Sequence, residues 1–143
     1  MIQHEVTIHI ACPVEKVFAF LADAKNLRAW QSNLIENQQL TEGTVRVGTQ
    51  FREVRRTGPR QSEIRAEITT FDVNKRFGTK TLTKPQVTVN YALESETGGT
   101  RLNYKFVMIT SGIMRLLEPL IAGSMKKDGD LDFQKLKRIL EGQ

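Results

Sequence analysis

Ile2, His4, Val6, Ile8 and Ile10 alternate with Gln3, Glu5, Thr7 and His9, the period of two expected of a strand that buries one face. Pro13 suits the first turn of a helix, and Val14, Val17, Phe18 and Leu21 then fall on one helical face. Asp23 to Asn26 break that helix; Leu27 and Trp30 allow one more turn before Leu34 to Leu40 resume a strand-like pattern. From Val47 onward the chain reads as extended segments divided by Gly58-Pro59, Asn74-Lys75, Lys84-Pro85 and Thr97-Gly98-Gly99, each a turn signal at hairpin spacing. Strands are expected near Thr49–Arg56, Gln61–Asp72, Arg76–Leu82, Gln86–Glu94 and Arg101–Ile109, joined as an antiparallel meander.

The last third changes period. Pro119 fits a helix start, and Met114, Leu117, Ile121, Met125, Gly129, Phe133, Leu136 and Leu140 recur by threes and fours as one stripe expected to face inward. Gly129 interrupts the stripe at a cost of about 0.8–1 kcal/mol relative to Ala, so it needs a reason such as close backbone approach or room left beside it. The order of elements predicts a single α+β domain over residues 1–143: a curved antiparallel sheet of six or seven strands, two short helices after the first strand, and a long C-terminal helix. A twisted sheet curls, and one helix across its concave side leaves part of the cup unfilled.

Length and composition agree with one globular domain, since 39% of the 143 residues are hydrophobic. Twenty-one Lys and Arg against sixteen Asp and Glu give 21 − 16 = +5, an excess that permits an anionic partner without demanding one. With one cysteine, Cys12, no intramolecular disulfide forms, and a reducing, cytoplasmic location is the simpler expectation. No apolar stretch approaches the roughly 18 residues of a membrane span, so no integral membrane association is expected.

Several segments carry a family resemblance. Val14-Glu15-Lys16-Val17-Phe18-Ala19-Phe20-Leu21-Ala22-Asp23, Asn26-Leu27, Trp30-Gln31, Val47-Gly48-Thr49-Gln50-Phe51, Gly99-Thr100-Arg101-Leu102 and Arg115-Leu116-Leu117-Glu118-Pro119-Leu120 are similar, in order, to the polyketide cyclase/dehydrase branch of the START-like (SRPBCC) superfamily. The resemblance implies a helix-grip fold, also described as START-like or Bet v 1-like, with a cavity between sheet and C-terminal helix for lipids, polyketides or other hydrophobic compounds. It places Trp30 near the cavity entrance. It fixes no chemistry, because one fold serves many functions.

Local signatures of catalysis are missing. There is no G-x-S-x-G, G-x-G-x-x-G, P-loop or H-E-x-x-H. His4 and His9 are five apart on one strand, hence on opposite faces, and neither they nor Cys12 are spaced to ligate a metal. No cofactor is expected. His4 shares the face of Val6 and Ile8 and reaches toward the cup, although a partly exposed edge position also accounts for it. The charged residues of the Gly58-Pro59 hairpin read as cross-strand Arg–Glu pairs on a solvated face. Alternation adds that if Phe51 points inward, Glu53 and Arg55 follow, whereas Ile64, Ala66 and Ile68 inward place Glu63, Arg65 and Glu67 in water. Tyr91 and Tyr104 are expected inside with their hydroxyls seeking partners.

The expected pocket is therefore lined by Trp30, Phe51, Glu53, Ile64, Ala66, Ile68, Tyr91, Tyr104 and Phe106 on the sheet side. Met114, Leu117, Ile121, Met125 and Gly129 line it from the helix. The expected partner is a small hydrophobic ligand; a homodimer is open, and nucleic acid is not expected because the basic residues lack interleaved aromatics or a recognisable module. Three functions stand at this point: a carrier of a hydrophobic molecule, a cyclase or dehydratase acting on a polyketide or aromatic substrate, and a protein-interaction module. Two or more polar groups converging inside the cavity favour the enzyme, a uniformly apolar cavity favours the carrier, and a filled interior with an exposed apolar patch favours interaction.

Overall fold

The structure is a computed structural model that describes residues 1–142. Seven strands form one antiparallel sheet: β1 (Ile2–Ile10), β2 (Leu34–Gln39), β3 (Gln50–Thr57), β4 (Arg60–Asp72), β5 (Arg76–Thr81), β6 (Gln86–Glu96) and β7 (Gly99–Ile109). Their spatial order is β1-β7-β6-β5-β4-β3-β2. The first strand therefore pairs with the last, and the chain crosses between the two edges through α1 (Val14–Ala22), a short 3₁₀ turn and α2 (Leu27–Trp30). Each hairpin predicted from a turn signal is present, and the strand bounds differ from the expected ones by two residues or fewer.

Two features depart from the periodic reading. A register shift between Ile68 and Thr70 inserts a bulge in β4. Ile64, Ala66 and Ile68 share one face, and the extra residue then brings the odd-numbered Phe71 onto that same concave side opposite Phe77. Gly78 lies beside the bulge, where a Cβ would come 2.5 Å from Asn90 Oδ1 and 3.1 Å from Thr69 Oγ1, so the kink is closed by a residue without a side chain.

The C-terminal stripe is also split. One helical turn, α3 (Ile113–Leu116), is separated from α4 (Glu118–Leu140) at Leu117. The 23 residues of α4 span roughly 35 Å, and Pro119 sits in its first turn, where a missing N–H costs nothing. The break overturns part of the inward stripe. Leu117 is 44% exposed, and the buried residues of α4 are Phe133 and Leu136.

The register aligns a rung of side chains on the concave face: Val6 opposite Tyr104, Tyr104 opposite Tyr91, Tyr91 opposite Phe77, Phe77 opposite Phe71. The aromatic rings among them form a continuous series that α1, α2 and α4 complete. Phe18 packs edge-on against Phe71 at 5.4 Å, Tyr91 lies 5.3 Å from Tyr104, Tyr104 lies 4.7 Å from Phe133, and Phe133 lies 5.4 Å from Trp30. Each such pair adds about 0.5–1.5 kcal/mol beyond its burial. This series fills the middle of the cup beneath the second half of α4 with the protein's own side chains.

Candidate functional site

What the aromatic series leaves open is a hollow of about 250 Å³ between the β1–β7 edge and the middle of α4. Ile2, Gln3 and His4 contribute from β1, Tyr104 and Phe106 from β7, and Ala122, Gly123, Met125, Lys126 and Gly129 from α4. Its cause lies in side-chain size. Three of the five helix residues are Ala or Gly, so the helix wall recedes where the sheet offers Ile2, His4 and Phe106. Gly129 is thus explained by room rather than by close approach: a Cβ there would lie 3.8 Å from His4 Nε2, an ordinary contact. A second hollow of about 310 Å³, around Cys12, Glu15, Ser95 and Gly99, is shallow and lies at the far end of the sheet, outside the cup.

Of the residues expected to line the pocket, Tyr104, Phe106, Met125 and Gly129 meet in this hollow. Trp30, Phe51, Ala66, Ile68 and Tyr91 are instead buried constituents of the packed interior. Trp30 sits against Phe133 rather than at an entrance, with its indole Nε1 buried and unpartnered. Ile64, Met114 and Ile121 are half-buried outside the lining, and Leu117 faces out. Ile2, Gln3, Ala122, Gly123 and Lys126 were not expected. The small residues 122 and 123, between Ile121 and Met125 of the expected inward stripe, were the available signal.

Glu53 and Arg55 do share the face of Phe51, which pairs with Ala66 while Glu53 pairs with Ile64. On the opposite face Arg52 bridges Glu36 and Glu63 at 3.1 and 2.9 Å, as cross-strand pairing predicts. Glu53 is not free to hold a ligand, because its carboxylate accepts from Arg55 at 2.7 Å and Arg55 also donates to Asn33 Oδ1 at 2.8 Å. This pair sits toward the β3 side of the cup, not in the hollow.

The polar groups that meet the hollow are few. His4 Nε2 is buried without a hydrogen-bond partner, 4.0 Å from Asp130 Oδ1, and the imidazole stands edge-on to Tyr104 with ring centres 6.3 Å apart. Burial pushes the Tyr104 phenol well above its ordinary range, with Arg55 opposing and Asp132 adding to the shift. Tyr91, behind it, is raised chiefly by burial as well. Both phenols are therefore neutral hydrogen-bond donors at any physiological pH. Among the described residues no three His, Cys, Asp or Glu are grouped to hold a metal ion, and no helix is long and apolar enough to cross a membrane.

A curved seven-stranded sheet gripping a long C-terminal helix, with a hollow between them, defines the helix-grip class. Residues 1–141 match the family described as polyketide cyclase / dehydrase and lipid transport, and the chain belongs to that family. No curated protein sequence matches it. Among solved structures it is similar to TTHA0849 from Thermus thermophilus, at 16% identity over 95% of this chain and 94% of that one, with a TM-score of 0.79. It is also similar to Ara h 8.0201, at 14% identity over 99% and 98% and a TM-score of 0.75. The di-domain ARO/CYC StfQ of the steffimycin biosynthetic pathway matches at 12% identity over 99% of this chain and 51% of that one, TM-score 0.76. At these identities the likeness is one of fold. Family and fold together support binding of a hydrophobic ligand in general terms.

Proposed function

We propose that the chain binds a small hydrophobic molecule bearing one polar group in the hollow between β1, β7 and α4. The observation that carries this reading is the hollow itself, apolar on most of its wall and left open by the small residues Ala122, Gly123 and Gly129 of α4. The apolar body of the ligand lies against Ile2, Phe106 and Met125, and the Tyr104 hydroxyl donates to its oxygen. Size limits the guest. About 250 Å³ is the space of roughly eight liquid waters, below the ~300 Å³ at which small-molecule sites usually begin. A ligand the size of one or two fused rings fits as the site stands; a long acyl chain requires the first half of α4 to move.

A cyclase or dehydratase reading has less support. Gln3, His4 and Tyr104 are the polar residues that the sheet contributes to the hollow, and no nucleophile stands beside a base there. The test is native mass spectrometry of protein purified gently from its own host, followed by a melting-temperature screen with hydrophobic ring compounds. A retained small molecule, and a stabilising shift abolished by Ala122→Met, are expected. Absence of any retained molecule and of any shift overturns the reading.

A further inference from the structure

We propose that the end of the molecule carrying the α3–α4 elbow docks on the surface of an anionic lipid bilayer. The strand register gathers one set of termini here. Ile2 at the start of β1 lies opposite Met108 near the end of β7, Ile109 opposite Gln86 at the start of β6, and Leu82 N–H donates to the Arg65 carbonyl in the middle of β4, past which the β3–β4 hairpin runs on to Arg60. α3 follows β7 directly, and Glu118 at the start of α4 accepts from Thr110 and the Met1 amino group.

Seven of the twelve exposed large hydrophobic residues found among the described residues are at this end: Met1, Leu82, Ile109, Ile113, Leu116, Leu117 and Leu120. Ile113, Leu116 and Leu120 are 75%, 81% and 74% exposed. Ile113 and Leu116 in α3 and Leu120 in the first turn of α4 are on the outer side of the elbow, whose inner side carries the half-buried Met114 and Ile121. An element apolar on both sides needs an apolar neighbour on both sides.

Charge decides which neighbour. Arg56, Arg60, Lys84 and Arg115 are exposed around the same end, and none is ion-paired among the described residues. The carboxylates nearby are engaged, Glu63 by Arg52 and Glu118 by Thr110 and the Met1 amino group. A two-fold pairing of this patch with a second copy brings the cationic rims toward each other. An anionic bilayer offers an apolar layer for the leucines beneath a layer of negative headgroups for the arginines. The hollow lined by Ile2 and Ala122 lies at this same end, so docking sets it next to the lipid phase.

The test is flotation of the full chain with vesicles of phosphatidylcholine alone or with about 30% phosphatidylglycerol. Binding to the anionic vesicles is expected, falling in about 0.5 M salt as the headgroup attraction is screened. Leu116→Ser with Leu120→Ser lowers partitioning about tenfold or more, since two aliphatic side chains leave the interface. Arg60→Glu with Arg115→Glu lowers it also. Leu131→Ser, an exposed leucine on the outer side of α4 away from the elbow, leaves it unchanged, and circular dichroism confirms that each variant is folded. No binding to anionic vesicles, or an equal loss in the Leu131 variant, overturns the proposal. Concentration-dependent dimerisation dispersed by the Leu116/Leu120 variant, without vesicle binding, overturns it in favour of a second copy. Ligand capture in the hollow is read separately by the melting-temperature screen, so either result stands without the other.

Discussion

Gly129 on α4 faces the His4 imidazole of β1, and a Cβ on the glycine would rest 3.8 Å from Nε2. The helix therefore has a glycine where alanine also fits. Gly129→Ala is expected to stabilise the fold by about 0.5–1 kcal/mol through reduced backbone entropy and better helix propensity. The same methyl takes space from the hollow, so ligand-induced thermal shifts should shrink while stability in urea rises. A loss of stability would show that the glycine serves the backbone and not the hollow.

Phe133 is 5% exposed, with its ring between those of Trp30 and Tyr104. Phe133→Ala should cost about 3–5 kcal/mol, because it deletes a large buried ring at the junction of helix and sheet. Phe133→Leu retains most of the volume and should cost less than half as much. Denaturant titrations of both variants check the order.

Gly78 and Gly99 are expected to tolerate alanine differently. A Cβ at Gly99 would stand 2.1 Å from the Ile10 carbonyl oxygen, a backbone atom that cannot turn aside. At Gly78 the closest atom, at 2.5 Å, is the side-chain oxygen of Asn90. Gly99→Ala should therefore prevent folding or cost several kcal/mol, whereas Gly78→Ala should cost about 1–3 kcal/mol. Combining the latter with Asn90→Ala should recover part of the loss, which a double-mutant cycle measures.

Burial raises the Asp132 carboxyl above its ordinary value, although the Ser32 N–H it accepts pulls the other way. A carboxyl with a raised folded-state pKa binds protons more readily when folded, so its ionised form costs stability above that value and the cost disappears as pH falls. Asp132→Asn keeps an acceptor for Ser32 and removes the ionised form. The variant should be more stable than the parent at pH 7, with the two converging below about pH 4. Chemical denaturation at both pH values tests this, and a less stable variant at pH 7 would refute it.

Much of this architecture is legible in the sequence alone. Alternation in Ile2–Ile10, Val87–Leu93 and Leu102–Met108 is unambiguous because one face of each strand is buried and the other is wet. By the same alternation, Glu53 and Arg55 follow Phe51 onto one face of β3. The site was less legible. That Phe18, Phe71, Phe77, Tyr91, Tyr104, Phe133 and Trp30 join across the cup depends on cross-strand register and on a one-residue bulge in β4, neither of which a single-strand pattern contains. Leu117 looked internal because its spacing continues the stripe, but the helix breaks at that residue and the period restarts. The hollow depends on what is missing from the helix, and periodicity records apolar positions without recording how small they are.

The uneven filling of the cup gives α4 the mechanics of a lever. Phe133 and Leu136 are clamped in the interior and serve as its fulcrum, while the arm from Glu118 to Gly129 rests on a void and carries mostly exposed residues. A swing of that arm enlarges the chamber and leaves the ring series intact, at the cost of the contacts of Glu118 with Thr110 and the Met1 amino group. Amide hydrogens of the arm should accordingly exchange faster than those of the fulcrum, and a bulky guest should reverse that order of protection by propping the arm in place.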